Sequence, residues 1–333
     1  MTDVPGVGLV AIGRNEGPRL RACLASARRD LAHVVYVDSG STDDSLEIAR
    51  EFGAEIVELP SDVRFTAALA RNTGFARLVE TWPELEYVQF VDGDCEIEAG
   101  WLERAHAVLE EGGYAVVCGR RRERHPEASV YNLLCDMEWD TEVGDTAACG
   151  GDSMMRVDLL GQVGGFASDL IAGEEPELCV RLAEAGGRIL RLDAPMTIHD
   201  ARMFHASQWW LRAKRAGHAY AESAARHPAA VDGANAREVR SAWFWAGVLP
   251  ALALLLSWPT SGWSLGLLLA WPIQIARIAV RRPRPNFGAR ENLIYAVSCV
   301  VGKLPHLQGV LRFLYGRLSG QRSRLIEYKG AAS

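Results

Sequence analysis

Tyr87-Val88-Gln89-Phe90-Val91 is a mostly apolar, strand-forming run, and it ends abruptly in Asp92-Gly93-Asp94, two carboxylates one glycine apart. A buried strand delivers its last side chains to the carboxyl edge of a sheet, where open α/β folds bind ligands. An acidic pair placed there suits a hard divalent cation, Mg²⁺ or Mn²⁺, which takes a few carboxylates together with the oxygens of a diphosphate. Gly93 leaves room for the phosphate to approach. A solvated acidic turn is the plain alternative, because such pairs are common in loops. An EF-hand calcium loop is disfavoured. Asp92, Asp94, Glu96 and Glu103 fall at its first, third, fifth and twelfth positions, but Ile97 stands where its sharp turn needs glycine, and a strand precedes the loop where a helix should.

Three further clusters carry chemistry. Asn15-Glu16 comes after the apolar run 7–12, and Asp38-Ser39-Gly40-Ser41-Thr42-Asp43 after the run 33–37. Ser41 to Asp44 read as a strand-turn-helix cap. That cap leaves Asp38 unexplained, and its carboxylate could accept hydrogen bonds from a ribose or a base N–H. Ala70-Arg71-Asn72-Thr73-Gly74 puts a guanidinium on a helix before the Asp92 strand, where it serves either a surface ion pair or a diphosphate.

The elements that must position these groups alternate. Apolar runs at 7–12, 33–37, 54–59 and 86–91 read as strands, while 18–29, 43–52 and 65–81 carry helical spacing. This order predicts an α/β fold, a Rossmann-like, mainly parallel sheet flanked by helices, with its ligand site at the carboxyl ends of the strands. Helices are also expected at 99–111, at 175–185 ahead of Gly186-Gly187, and at 207–227.

Past residue 230 the composition changes, dividing the chain into a ligand-binding domain over 1–230 and a membrane-associated region over 231–333. Two stretches, 242–258 and 262–280, hold no charge except Arg277, and each is close to the length that crosses a hydrocarbon core. Pro250 and Pro272 interrupt them, so a buried helical hairpin is the alternative. Arg237, Arg240, Arg281, Arg282, Arg284 and Arg290 flank one side, and the link Pro259-Thr260-Ser261 is uncharged. This pattern predicts a transmembrane hairpin with both ends cytosolic. Residues 291–318 are apolar but broken by Gly302, Lys303, Pro305 and Arg312, and a basic tail follows through Arg324. They read as an amphipathic interfacial segment on anionic lipid, with a third span as the alternative.

Composition narrows the partners. A chain of 333 residues with 49% hydrophobic and 23% charged content can bury a sizeable core. The net charge of -6 forms no basic face, and no helix-turn-helix or zinc-finger spacing is present, which argues against nucleic acid. The 7 cysteines are scattered without a CxxC, as expected of reduced thiols in the cytosol. Met1 to Gly8 has no basic segment followed by an apolar core, so a cleavable signal peptide is not expected.

Together the clusters resemble a family 2 glycosyltransferase of the GT-A fold. The resemblance covers Val7 to about Tyr220. It rests on Asn15-Glu16, Asp38 to Asp43, Arg71-Asn72-x-Gly74, Asp92-Gly93-Asp94, Gly150-Gly151, Gly173-Glu174-Glu175-Pro176-Glu177-Leu178 with Arg181-Leu182, and His199-Asp200. It implies an inverting, metal-dependent enzyme that moves one sugar from a nucleotide-diphosphate sugar to a lipid-linked glycan acceptor, at a membrane of the bacterial inner-membrane type. By the same resemblance Asn15, Glu16, Asp38, Arg71, Asp92 and Gly93 bind the donor, Asp94, Asp92 and His199 hold Mn²⁺ or Mg²⁺, and the catalytic base lies at Glu175 with Glu174 beside it. Relatives usually carry aspartate where this chain has Glu175. Polymerizing members carry Gln-x-x-Arg-Trp, and Gln208-Trp209-Trp210-Leu211-Arg212 departs from that spacing, so processive polymerization is not assigned. Trp209 and Trp210 either stack on an acceptor sugar or pack at the membrane interface. Two rival classes are a non-catalytic nucleotide-sugar-binding membrane scaffold or sensor, and a nucleotidyltransferase. The second lacks a glycine-rich triphosphate loop after the first strand.

Overall fold

A computed structural model describes residues 4–62, 65–228, 234–281 and 283–320. Arg282, the basic tail after Gly320 and the composition boundary at 230–231 lie outside the described residues. The expected alternation is present as β1 (Val7–Gly13), α1 (Pro18–Ala27), β2 (His33–Asp38), α2 (Ser45–Glu51), β3 (Glu55–Glu58), α3 (Ala67–Thr81) and β4 (Tyr87–Asp92). β1 pairs in parallel with β2 and β4, and β2 with β3. All of β1 but its last residue is buried, as a continuous apolar run covered on both faces requires. The register sets Gly13 beside Asp38 and Ile12 beside Asp92, so both acidic strand ends emerge on one edge.

The parallel half continues into a mixed half. It comprises β5 (Cys95–Ile97), α4 (Trp101–Glu110), β6 (Val116–Glu123), α5 (Val130–Trp139), β7 (Gly144–Asp145), β8 (Ser153–Arg156), α6 (Val157–Gln162), α7 (Glu174–Glu184) and β9 (Ile189–His199). Among the described residues the sheet has 9 strands, in the order β3-β2-β1-β4-β8-β6-β9-β5, with β7 beside β9. β8 runs antiparallel to β4 and β6, and β5 and β7 antiparallel to β9. β6 and β9 are parallel, with bulges between Cys118 and Arg121. The sheet and these helices, except α5 ahead of Trp139, lie in one compact unit, formed by the chain up to Arg124 and by Trp139–Ala201.

A second unit holds His125–Glu138 and the chain from Arg202 onward. Its helices include α8 (Ala206–Arg226), α9 (Ala234–Ala242), α10 (Leu249–Leu255), α11 (Ala270–Arg281), α12 (Ala289–Val301) and α13 (Lys303–Ser319). The division therefore follows Ala201, ahead of the composition change near 230. α8 looks soluble in sequence, yet it packs along α13 at glycines. An added Cβ at Gly217 or Gly309 would lie 2.1 Å from the carbonyl oxygen of His306 or Lys214.

The stretch from α9 through α11 is a hairpin. A π-helical turn, Trp243–Val248, precedes α10 and makes room for Pro250, whose ring cannot donate to the helix and crowds the preceding turn. A 3₁₀ stretch, Trp263–Leu269, leads into α11. Ser264 Oγ donates to the Ala253 carbonyl (2.7 Å) and Trp271 Nε1 to that of Trp245 (3.2 Å), so the arms run antiparallel. Two helices among the described residues are long and apolar enough to cross a membrane, Trp263–Arg281 and Ala289–Ser319. The first is the expected second arm. The other falls where an interfacial segment is expected. The 242–258 arm is not among them, because its helix begins in the charged residues Arg237, Glu238 and Arg240.

Candidate active site

The end of β4 is built around a buried arginine. Arg71, 2% exposed on α3, donates through Nη2 to Asp92 Oδ1 (2.9 Å) and through Nη1 to Glu174 Oε1 (3.0 Å) and Glu175 Oε1 (2.9 Å). The surface ion pair considered for it is thereby corrected: Arg71 is the internal counter-charge of three carboxylates. Gly173, at a left-handed φ of 80°, turns the chain into α7 and sets Glu174 and Glu175 in its first turn. Gly151 makes the space. A Cβ there would lie 2.5 Å from Arg71 Nη2, 3.1 Å from Glu175 Oε1 and 3.3 Å from Asp92 Oδ2.

A second arginine, not singled out from sequence, completes the clamp. Arg121 Nη2 donates to Asp92 Oδ2 (3.0 Å), and its Nε donates to Asp152 Oδ2 (2.9 Å). Asp152, fully buried, also accepts from the Asp92 backbone N–H (3.1 Å) and from Thr197 Oγ1 (2.6 Å). The Arg121 guanidinium lies 5.3 Å over the Trp139 ring. Both oxygens of Asp92 thus carry arginines. Asp94 is different. It is 3% exposed, and its Oδ2 lies 3.3 Å from His199 Nε2 at the end of β9. One oxygen donor and one nitrogen donor side by side form a pair that suits a borderline divalent cation. Gly93 is needed by the protein itself: its N–H donates to the Ile12 carbonyl (2.8 Å), and a Cβ would stand 3.1 Å from that oxygen.

The titrating groups are displaced by these neighbours. Burial, and then the adjacent Glu174 carboxylate, push the Glu175 carboxyl up to about 7 against the opposing pull of Arg71. For His199, burial favours the neutral ring, but the facing carboxylates Asp94 and Glu123 outweigh it and raise the imidazole above its ordinary value.

The residues expected at the nucleoside join two strand-end loops. Asp38, 1% exposed, accepts at Oδ2 from the N–H groups of Gly40 (2.9 Å) and Ser41 (2.7 Å), and at Oδ1 from Tyr36 Oη (3.0 Å) and the Ser41 hydroxyl. Its own loop accounts for the carboxylate that the cap left unexplained. Asn15 sits at φ 57°, accepts from the Thr42 N–H at Oδ1 (2.7 Å) and donates its own N–H to Ser41 Oγ (2.9 Å). Glu16 pairs with Arg19 (2.6 Å). Trp209 and Trp210 belong to the second unit, where Trp210 Nε1 donates to Gln308 Oε1 (2.9 Å) on α13. The structure thus gathers Arg71, Asp92, Glu174 and Glu175 in one network and Asp94 with His199 beside it.

Known proteins share this arrangement of elements. A profile of glycosyl transferase family 2 matches residues 10–146. A glycosyltransferase of Mycobacterium bovis is 31% identical over 186 residues, 54% of this chain and 79% of its own length. The chain belongs to glycosyl transferase family 2. Glycosyltransferase AglE of Haloferax volcanii is 26% identical over 216 residues, 61% of this chain and 69% of its own. Among solved structures, a mannosyltransferase from Pyrobaculum calidifontis in complex with GDP-mannose and Mn²⁺ shares the fold at a TM-score of 0.66 and 20% identity, over 95% of this chain and 90% of its own. The chain is therefore a glycosyltransferase with a GT-A fold, as the strand-end motifs imply.

Proposed function

We propose that this glycosyltransferase is inverting and metal-dependent, and that it moves a single sugar from a nucleotide-diphosphate sugar to a membrane-borne, lipid-linked glycan at the cytosolic face. One observation carries this reading: Glu175, pushed up to about 7, stands with Asp92 on the same arginine, next to the Asp94–His199 pair. A base that titrates near neutrality is matched to removing a proton from a sugar hydroxyl. Glu175 takes that proton, and attack from the side opposite the leaving diphosphate inverts the anomeric centre.

The charge balance supports the cation. Even with Glu175 protonated, Asp92, Asp94, Asp152 and Glu174 outnumber Arg71 and Arg121, so added positive charge favours entry of a diphosphate into this site. Asp94 and His199 are the residues to hold Mn²⁺ or Mg²⁺, which when bound neutralises charge on the departing nucleoside diphosphate. Asp92, engaged by two arginines, orients the donor. Arg71 Nε is a buried donor with no protein partner among the described residues. The test is thermal stabilisation of the full-length protein by UDP-, GDP- and dTDP-sugars with Mn²⁺, followed by addition of lipid-linked glycans. One donor class should raise the melting temperature, and acceptor should then trigger release of free nucleoside diphosphate. Donor binding with no release on any acceptor would leave the scaffold reading in place.

The hairpin is the membrane anchor in this proposal. The 3₁₀ stretch and α11 together extend about 32 Å, the thickness of a hydrocarbon core. Trp258 and Trp263, 92% and 87% exposed, flank the turn, where an aromatic belt belongs at the far interface. Arg237, Arg240, Arg281 and Arg284 lie at the other end of the arms. The full-length protein is expected to stay with membranes through high salt and alkaline carbonate and to leave them only with detergent. Release by salt alone would replace the spanning hairpin with an interfacial one.

A further inference from the structure

We propose that Glu123, at the end of β6, is the positioning residue that sets His199 as a metal ligand; the inference rests on the cation site of the proposed function. β6 and β9 pair in parallel with Arg121 opposite Thr197 and Glu123 opposite His199. Residues two apart on a strand share a face, so these four side chains stand on one side of the sheet. The bulges just before Arg121 re-aim this part of β6.

His199 is 5% exposed and lies between two carboxylates, with Nε2 3.3 Å from Asp94 Oδ2 and Nδ1 3.7 Å from Glu123 Oε2. Nδ1 is buried with no hydrogen-bond partner among the described residues, and Glu123 Oε2 faces it. The Glu123 side chain is wholly buried, and Oε2 is held by the Ala201 backbone N–H (3.0 Å) just beyond β9. Trp139 meets the imidazole edge-on at 4.8 Å, which limits rotation of the ring. A neutral imidazole that binds a cation through Nε2 keeps its proton on Nδ1. A carboxylate facing that proton fixes the tautomer, orients the ring and raises its basicity.

β6 therefore treats the two acids of Asp92-Gly93-Asp94 in opposite ways. Arg121 gives Asp92 a cation and occupies one of its oxygens. Two residues on, Glu123 gives an anion to the histidine that faces Asp94. The first arrangement gives both Asp92 oxygens an arginine, and the second sets His199 beside Asp94 for cation binding.

The test uses full-length protein in detergent and Mn²⁺ alone, with free Mn²⁺ counted by electron paramagnetic resonance and nitrogen ligation read from spin-echo modulation. Glu123→Gln keeps the size and the acceptor for Ala201 and removes the charge. It is expected to weaken Mn²⁺ binding about 10- to 100-fold and to reduce the nitrogen modulation. On a His199→Ala background the same substitution should add nothing, because residues acting through one another are not additive. Glu123→Asp, which keeps the charge, should restore part of the affinity. Wild-type affinity in Glu123→Gln, or equal weakening with and without His199, overturns the proposal. Should Glu123→Gln not fold, ¹⁵N-histidine spectra of the unsubstituted protein loaded with Cd²⁺ decide: Nε2 bound with Nδ1–H retained is expected, and Nδ1 bound overturns it. Absence of Mn²⁺ binding in the wild type would remove the cation site itself, a different failure from one confined to Glu123.

Discussion

Asp94→Ala is expected to abolish cation-dependent donor binding while leaving the protein folded. Asp94 sits at the carboxyl edge of the sheet, with its side chain turned to His199. Its removal takes away the carboxylate of the Asp94–His199 donor pair. A donor at about a hundred times its dissociation constant stabilises a native protein by about 2.7 kcal/mol. The wild type should therefore melt several degrees higher with donor and Mn²⁺ than with donor and chelator, and Asp94→Ala should show no such difference. Asp92→Ala makes the contrast. It leaves Arg71 and Arg121 each short of a carboxylate, so its main effect should be lower stability of the protein without ligand. Equal donor affinity in chelator and in Mn²⁺ for the wild type would take the cation out of the mechanism and leave Arg71 as the diphosphate contact.

The part of this site that sequence makes legible is the part that lies on long apolar strands. β1, β2 and β4 read directly from mostly apolar runs, and the acids that end β2 and β4 stand out as breaks in those runs. β5, β7 and β8 are too short for a period to show, and β6 disappears into Arg120-Arg121-Arg122-Glu123-Arg124, which looks like a solvated surface. Charge type says nothing about burial. Arg121 and Glu123 become site residues only through the register of β6 with β9. Asp152 directly follows Gly150-Gly151, which is the one sequence feature that points toward it. Arg71 is marked by its motif, but its burial is not, because its partners Glu174 and Glu175 are a hundred residues away in sequence. Asp38 shows another limit: sequence marks an acid at a strand end but not the turn N–H groups from which it accepts.

Glu175→Gln is expected to bind nucleotide sugar normally and to lose transfer by at least about a hundredfold, within the range of about 10²- to 10⁴-fold for removal of a general base. The plain alternative is that Glu174, Glu175 and Glu177 only complement the dipole at the start of α7, worth about 0.3–1 kcal/mol each. Loss of a dipole partner would lower stability slightly and leave turnover untouched. The acid–base position of Glu175 separates the two readings. Its carboxyl is raised to about 7 by burial and by Glu174, so kcat/KM should climb about tenfold per pH unit below 7 and level off above it. A raised carboxyl also holds its proton more tightly in the folded state. Its contribution to stability is therefore complete below the ordinary carboxylate range and is lost as pH rises toward 7, so Glu175→Gln should not be less stable than the wild type in mild alkali. Glu174→Gln removes the neighbouring charge that helps to hold Glu175 protonated, while Arg71 keeps its other partners. It should move the rise in kcat/KM to lower pH and cost far less rate. Glu175→Asp, a methylene shorter, should keep part of the activity. If Glu175→Gln transfers at nearly the wild-type rate and Glu174→Gln or Asp200→Asn is dead, the base belongs to another carboxylate, and the pH at which the surviving profile bends will say which.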